Sequence, residues 1–246
     1  MTGRCVIPRE GRHAHLTDLR VFSGVEAWVF DLDNTLYPFD ADLFSQINEK
    51  IGDYVADLLG LNRAAAEVQQ KAYYKTYGTT LRGLMVEHSV DPDDFLEKAH
   101  DIDYSAVKPN ADLKSAIQAL PGKKFIFTNG DRPHAERTAA ALGITELFED
   151  IFDIVAAGLV PKPDREAYDL FLKQTGVSPA RAAMFEDLSR NLMVPHKLSM
   201  RTVLVVPPNT RDLFHGEWEL EDDRAPHVDF VTDDLTGFLK ALPGHL

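Results

Sequence analysis

Short apolar runs and amphipathic stretches divide this chain into two kinds of region. The run Ala27–Phe30 predicts a first buried strand over about 26–31. Over residues 39–104 the apolar positions instead recur every three to four residues, and no convincing strand pattern interrupts them. This region predicts a helical insert with helices at about 44–58, 63–77 and 80–88 and a shorter one after Asp91-Pro92.

Beyond Pro109 the two patterns alternate, and each strand-like run is short and apolar. Strands are expected at about 125–127, 151–156, 182–185 and 202–206, with helices at about 112–120, 134–142, 165–175 and 189–198. Such alternation predicts an α/β fold, with a Rossmann-like, mainly parallel sheet core and an inserted α-helical domain. A weaker pattern adds an edge strand at 228–231 and a closing helix at 235–242.

These patterns predict three parts. Residues 1–24 mix Pro, Gly, His and Arg, which predicts an irregular N-terminal segment. Residues 25–38 and 105–246 are expected to form the α/β core, and residues 39–104 the helical insert. The segment after Arg211 is rich in acidic residues and is interpreted as a solvated surface.

The composition narrows the class of protein. With 44% hydrophobic residues, the chain can bury a substantial core. A formal net charge of -13 argues against nucleic acid and anionic membranes as partners. Cys5 is the single cysteine, which fits a reducing cytoplasm, and no apolar run approaches the roughly 18 residues of a membrane span. We therefore expect a cytoplasmic protein.

Polar side chains follow the predicted strands at the points where the strands end. Asp31 and Asp33 follow the first strand, and Thr128-Asn129, Lys162-Pro163 and Glu186-Asp187 follow later ones. In a parallel sheet these loops open on one edge, so the residues are expected to meet in one cleft. Two aspartates at i and i+2 repel each other unless a cation or a shared proton compensates them.

Each residue type in this cleft suits a step of phosphate ester hydrolysis. Asp31 can attack phosphorus as a nucleophile, and Asp33 can protonate the leaving group and later activate water. Thr128 and Asn129 can donate hydrogen bonds to phosphate oxygens, while Lys162 supplies a compact positive charge.

A hard cation fits the carboxylates of the same cleft. Mg²⁺ would be held by Asp31, Asp33 and Asp187, with a backbone carbonyl as one of the ligands. Glu186 would reach the metal through water or would only orient the site.

With these residues in place, the chain resembles the haloacid dehalogenase superfamily of phosphohydrolases, subfamily I with a C1-type helical cap. The likeness rests on four motifs in the family's order: Asp31-x-Asp33-x-Thr35, Thr128-Asn129, Lys162-Pro163, and Glu186-Asp187 with Asn191. It implies Mg²⁺-dependent hydrolysis of a small phosphorylated metabolite through an aspartyl-phosphate. Haloalkanoate dehalogenases of the superfamily lack a carboxylate two residues after the nucleophile, so Asp33 favours a phosphatase. Leu188 departs from the Ser that many relatives place there.

A narrower likeness is to the pyrimidine 5′-nucleotidase-like branch. It rests on Leu36-Tyr37-Pro38, Tyr73-Tyr74-x-x-Tyr77-Gly78, Leu81-Arg82-Gly83-Leu84, Thr128-Asn129-Gly130 and His134-Ala135-Glu136-Arg137. This likeness implies a pyrimidine nucleoside 5′-monophosphate as substrate, with Arg82 as a substrate-binding residue of the cap. Arg132 and His134 follow the phosphate loop and could contact substrate, but a helix-capping or solvated role is the preferred interpretation of each.

Two alternatives remain open. The protein could be a phosphatase for another small metabolite, such as a sugar phosphate. It could also be a catalytically weak module that binds a phosphorylated metabolite, although a pure binder has no need to retain the general acid Asp33.

Overall fold

A six-stranded parallel sheet forms the centre of the computed structural model, which describes residues 18–37, 41–206 and 226–245. Its strands are β1 (Ala27–Phe30), β2 (Lys123–Phe127), β3 (Asp150–Phe152), β4 (Ala182–Glu186), β5 (Arg201–Val205) and β6 (Phe230–Thr232). They lie in the order β3-β2-β1-β4-β5-β6, and all five pairings are parallel. The predicted α/β, Rossmann-like fold class is confirmed.

Helices cover the sheet and also form a separate layer. Five of them lie between β1 and β2 in the chain, and the first four constitute the helical insert: α1 (Leu43–Leu59), α2 (Arg63–Tyr77), α3 (Thr80–His88) and α4 (Pro92–Ala99). The remaining helices of the described ranges are α5 (Ala111–Gln118), α6 (Arg132–Leu142), α7 (Arg165–Thr175), α8 (Met193–Lys197) and α9 (Leu235–Ala241). Within the same ranges, no helix combines the length and hydropathy needed to cross a membrane.

Alternate side chains of β1 enter two different apolar cores. Trp28 and Phe30 pack on the face that α5, α6 and α9 cover, whereas Val29 packs on the opposite face with α7. All three side chains are fully buried. Burial on both faces explains why the strand is a continuous apolar run and shows no alternation of polar residues. The helical insert has a third core of its own, which includes Val55, Leu84 and Phe95 from three of its helices.

The register of the central strands brings the polar loops to one edge. Phe30, the last residue of β1, pairs with Ile126 of β2 on one side and with Phe185 of β4 on the other. Asp31 follows directly, and its backbone N–H donates to the carbonyl of Phe185 across 2.9 Å. Because the three strands run parallel and in register, their following loops emerge side by side.

Two elements differ from the pattern of the sequence. Strand β3 ends at Phe152 rather than near 156, because the carboxylate of Asp153 accepts from the backbone N–H groups of Arg132 and Ala156 and the chain turns there. The expected helix over 189–198 begins as a 3₁₀ turn and becomes α-helical only at α8. Pro195 has no N–H to donate to the carbonyl of Asn191 four residues earlier.

The predicted irregular segment 1–24 is described only from residue 18 onward. Those residues contain a single 3₁₀ turn, Leu19–Phe22, and the ring of Phe22 is buried against Trp28 at 6.1 Å between centroids. Residues 1–17 lie outside the described residues, and so do residues 207–225, which contain the first part of the acidic segment. The edge strand and the closing helix expected near the C-terminus are present as β6 and α9.

Candidate active site

Lys162 joins three of the predicted loops at the centre of the site. Its ammonium group donates to Asp31 Oδ1, to Glu186 Oε1 and to the carbonyl of Phe127, each across 2.7 Å. The side chain is only 1% exposed, so all three of its hydrogen-bonding positions are used inside the protein. The structure therefore brings Asp31, Lys162 and Glu186 together, although they lie far apart in sequence.

Burial and charge shift the pKa values of this group. Burial raises the pKa of Asp31 to about 7, because desolvation together with the nearby Glu186 and Asp33 outweighs the opposing effect of Lys162. Burial alone would lower the pKa of Lys162, but the charges of Asp31 and Glu186 raise it above its usual value. The lysine thus stays protonated at neutral pH, whereas the nucleophile candidate needs a further positive charge to stay fully ionised.

Asp187 supplies the third carboxylate of a cluster that fits a metal ion. Carboxylate oxygens of Asp31, Glu186 and Asp187 all lie within 4.8 Å of one another. Desolvation and the charges of Glu186 and Asp31 raise the pKa of Asp187 well above its usual value. One lysine cannot balance three crowded carboxylates, and a hard divalent cation with oxygen ligands would. The side chain of Asp33 is not part of this cluster.

Asp33 is instead held by hydrogen-bond donors on the other side of the cleft. Its Oδ1 atom accepts from the hydroxyl of Tyr37 across 2.5 Å and lies 2.8 Å from Nε2 of His134. Desolvation alone would raise the pKa of Asp33, but the hydrogen bonds and charge of His134, together with the hydrogen bond from Tyr37, lower it. The two aspartates of the first motif thus have opposite environments, since one pKa is raised and the other lowered.

Thr128 and Asn129 stabilise the loops of the site. The hydroxyl of Thr128 accepts from the backbone N–H of Gly130 across 2.9 Å. The side-chain amide of Asn129 accepts from the backbone N–H of Lys162 across 2.8 Å and donates to the carbonyl of the same residue across 3.2 Å. The amide therefore ties the loop after β2 to the Lys162 loop, and both residues line the cleft beside Asp31.

Asn191, whose role the sequence left open, holds Glu186. Its amide donates to Glu186 Oε1 across 2.7 Å, and the backbone N–H of Leu188 donates to Glu186 Oε2 across 2.9 Å. Glu186 thus accepts from Lys162, Asn191 and the backbone, which satisfies both of its oxygens. Leu188, where many relatives have Ser, still makes its contact with Glu186, because its backbone N–H is the donor.

A cleft of about 890 Å³ lies between the sheet edge and the helical insert. Its floor contains the catalytic candidates Asp31 and Asp33, and its roof is formed by residues of the insert. These roof residues include Ile47, Asn48, Gln70, Tyr74 and Thr80. Arg82 lies outside the lining, and its guanidinium forms an ion pair with Asp164.

Sequence reasoning missed two partners of Asp33. Tyr37 was part of a family likeness only, and His134 was interpreted as a helix-capping or solvated residue. The structure shows that His134 is fully buried, and that the capping side chain is Asp131, which accepts from the backbone N–H of His134 across 2.9 Å. The spacing of residues along α6 could have predicted that His134 is buried, because it lies on the same helical face as Thr138 and Ala139.

The chain is similar to several known proteins. A curated relative is Phosphate metabolism protein 8 of Saccharomyces cerevisiae, which is 28% identical over 179 residues, covering 66% of this chain and 55% of the relative. The chain thus spans about half the length of that relative. A HAD phosphatase from Thermococcus onnurineus has a TM-score of 0.55 at 16% identity, with 88% of this chain and 97% of that chain covered.

A second similar structure is the L-2-haloacid dehalogenase from Xanthobacter autotrophicus, with a TM-score of 0.53 at 19% identity over 89% of this chain and 97% of that one. At these identities the two structures support the fold alone. The family model for haloacid dehalogenase-like hydrolases matches residues 25–192, which include every strand-end residue named above. The chain belongs to the haloacid dehalogenase-like hydrolase family.

Proposed function

We propose that this hydrolase is a Mg²⁺-dependent phosphomonoesterase that works through an aspartyl-phosphate intermediate. The observation that carries the proposal is the pair of aspartates at the end of β1. Asp31 lies against Lys162 in the carboxylate cluster, while Asp33 is held separately by Tyr37 and His134. Hydrolysis of a phosphate ester through a covalent intermediate requires a nucleophile and a separate group that acts as general acid and base.

In the first step an oxygen of Asp31 forms a bond to phosphorus as the bond from phosphorus to the leaving oxygen breaks. Asp33, which must first take up a proton because its lowered pKa favours the ionised form, gives that proton to the leaving oxygen, so an alcohol leaves. In the second step a water oxygen attacks phosphorus, the bond to Asp31 breaks, and Asp33 takes the proton of the water. Lys162 holds a positive charge beside the transferring group throughout.

The donor set fits a resident metal ion. The side chains of Asp31 and Asp187 and the backbone carbonyl of Asp33 would hold the metal ion. Glu186 already accepts hydrogen bonds from Lys162 and Asn191, so it would orient the site. When bound, Mg²⁺ supplies positive charge to the phosphate oxygens. It would also lower the raised pKa values of Asp31 and Asp187, which keeps the nucleophile ionised at neutral pH.

The proposed substrate is a pyrimidine nucleoside 5′-monophosphate. A cleft of about 890 Å³ has room for a molecule of this size. Its roof carries two side-chain amides, Asn48 and Gln70, with Gln70 Nε2 3.3 Å from Asn48 Oδ1. Amides present donors and acceptors side by side, which matches the alternating groups on the edge of a pyrimidine. The curated relative's name links it to phosphate metabolism.

Another small phosphate ester, such as a sugar phosphate, is the second candidate. Tyr74 lines the roof, but the guanidinium of Arg190 lies 4.6 Å from its ring centroid and bonds to its hydroxyl. That face of the ring is therefore not open to a nucleotide base. The polar roof residues Asn48, Gln70 and Thr80 would equally form hydrogen bonds with the hydroxyl groups of a sugar. Arg82 would contact either substrate only if its ion pair with Asp164 opened, and its role stays a prediction.

Phosphate release from a panel of esters tests the proposal. UMP, CMP, glucose 6-phosphate and glycerol phosphate would each be supplied with Mg²⁺ and, separately, with excess chelator. The proposal predicts release that depends on Mg²⁺ and is concentrated on UMP and CMP. Release spread over all four esters would retain the reaction and remove the nucleotide assignment. No release from any ester, together with binding of one of them, would support the module that only binds.

A further inference from the structure

One oxygen of Asp33 receives both of the side-chain donors that reach this carboxylate. The hydroxyl of Tyr37 lies 2.5 Å from Oδ1, and Nε2 of His134 lies 2.8 Å from the same atom. No residue in the described ranges donates a hydrogen bond to Oδ2. The arrangement therefore fixes the carboxylate by one oxygen and leaves the other for a group in the cleft, which Asp33 lines.

The ring of His134 is itself held on several sides. It is fully buried, its Nδ1 atom lies 2.9 Å from the hydroxyl of Tyr104, and it stacks on His100 at 4.5 Å between centroids and 8° between planes. His100 in turn lies 3.1 Å from a carboxylate oxygen of Asp131, the residue that caps α6. A ring with so little freedom can hold its partner in one orientation.

The carboxylate of Asp33 determines which ring nitrogen carries a hydrogen. An ionised Oδ1 can only accept, so the hydrogen of a neutral ring lies on Nε2, and Nδ1 accepts from the hydroxyl of Tyr104. If the ring is protonated, both nitrogens carry hydrogens and Tyr104 accepts. Nε2 therefore donates to Asp33 in both states, and the role of His134 does not depend on its own charge.

We propose that His134 is a positioning residue that fixes the carboxylate of Asp33 by Oδ1, so that Oδ2 meets the oxygen of the leaving group. This inference rests on the proposed phosphatase function. It adds that proton delivery by Asp33 depends on the hydrogen bond from α6. His100 and Tyr104, at the C-terminal end of the helical insert, support the same ring.

Leaving groups of different basicity separate this role from a purely structural one. The alcohol of UMP is a poor leaving group that needs a proton, whereas p-nitrophenolate leaves without one. The ratio kcat/KM reports the steps up to phosphoryl transfer, and a loss of folded protein lowers it equally for both esters. The comparison of the two esters therefore stays informative even if a variant folds incompletely.

The test compares His134→Leu, which has no donor, with His134→Gln, whose amide can donate at the reach of Nε2. His245→Gln at the exposed C-terminal end is the matched control. We expect His134→Leu to lower kcat/KM for UMP by about 100-fold and that for p-nitrophenyl phosphate by less than about threefold. His134→Gln should restore at least about a tenth of the activity on UMP.

Equal losses on both esters in the two His134 variants would overturn the inference alone. A wild-type protein that hydrolyses neither ester would overturn the proposed function with it.

Discussion

The ammonium group of Lys162 lies 2.7 Å from Asp31 Oδ1, deep inside the protein and 131 residues away in sequence. The same ammonium group reaches Glu186 across 2.7 Å, and Asp187 lies in the same carboxylate cluster. One cation thus faces three acids. This imbalance explains why the site fits a divalent cation, and it predicts that the lysine is needed for the fold as well as for the proposed chemistry.

Replacement of Lys162 should therefore weaken the folded state. In Lys162→Met the buried carboxylates lose the one cation that bonds to them within the described residues. We expect the free energy of unfolding to fall by about 3–5 kcal/mol in the absence of metal. Urea denaturation monitored by circular dichroism measures this change. Lys173→Met, at an exposed position of α7, is the matched control and should stay within about 0.5 kcal/mol of the wild type. Equal stability of the two variants would contradict the geometry described for Lys162.

Replacement of Asp187 should have the opposite effect on the metal-free protein. Its pKa is raised in the folded state, so its ionised form costs stability at every pH above the unfolded value. Asp187→Asn removes that charge, and we expect the melting temperature in chelator to rise by about 2–4 °C. The same variant should lose the further rise that Mg²⁺ gives the wild type, because a metal ligand is gone. A full Mg²⁺ response in Asp187→Asn, measured by differential scanning calorimetry, would exclude Asp187 as a ligand.

The ion pair between Arg82 and Asp164 makes the role of the arginine testable. Both side chains are partly exposed, at 39% and 48%, so either Arg82→Gln or Asp164→Asn should cost at most about 1 kcal/mol of stability. If the arginine acts through this pair alone, the two variants should change kcat/KM for UMP equally, and the double variant should be no worse. If Arg82 binds substrate, only Arg82→Gln should raise KM, by about tenfold.

The roof of the cleft should select the leaving group. Gln70→Ala removes an amide that would bond to the base, and we expect KM for UMP to rise about five- to tenfold, as the loss of one hydrogen bond allows. Activity on p-nitrophenyl phosphate should change little, because that ester has no base. Gln69→Ala, which alters a neighbour outside the lining, is the control. A KM for UMP that is the same in both variants would remove Gln70 from substrate recognition.

Much of the site could be predicted because topology determines it. Once Ala27–Phe30 is recognised as a buried parallel strand, the loops after β1, β2 and β4 must meet at one edge, and Lys162 joins them there. The chemistry of these loops follows from local residue types. The fold class was predictable for the same reason, since alternation of strand and helix leaves few arrangements.

The partners of Asp33 were not predictable in this way. His134 lies 101 residues from Asp33, and its contact depends on the rotation of α6 about its axis rather than on any motif. Asp131, rather than His134, caps this helix. The sequence therefore provides no reason for a polar side chain, His134, on the buried face of α6. The early end of β3 has a partly similar cause, because the side chain of Asp153 accepts from the nearby backbone N–H of Ala156 and from that of Arg132, which is 21 residues away.

Replacement of the nucleophile tests the proposed reaction most directly. Asp31→Asn keeps the size of the side chain and the contacts of Lys162 with Glu186 and Phe127, so the fold should be retained. Phosphate release from UMP in the presence of Mg²⁺ would be compared between wild type and variant, with circular dichroism as the check on folding. We expect turnover to fall by at least about 1,000-fold, because no aspartyl-phosphate can form. Turnover near the wild-type rate in a folded Asp31→Asn variant would contradict the covalent mechanism.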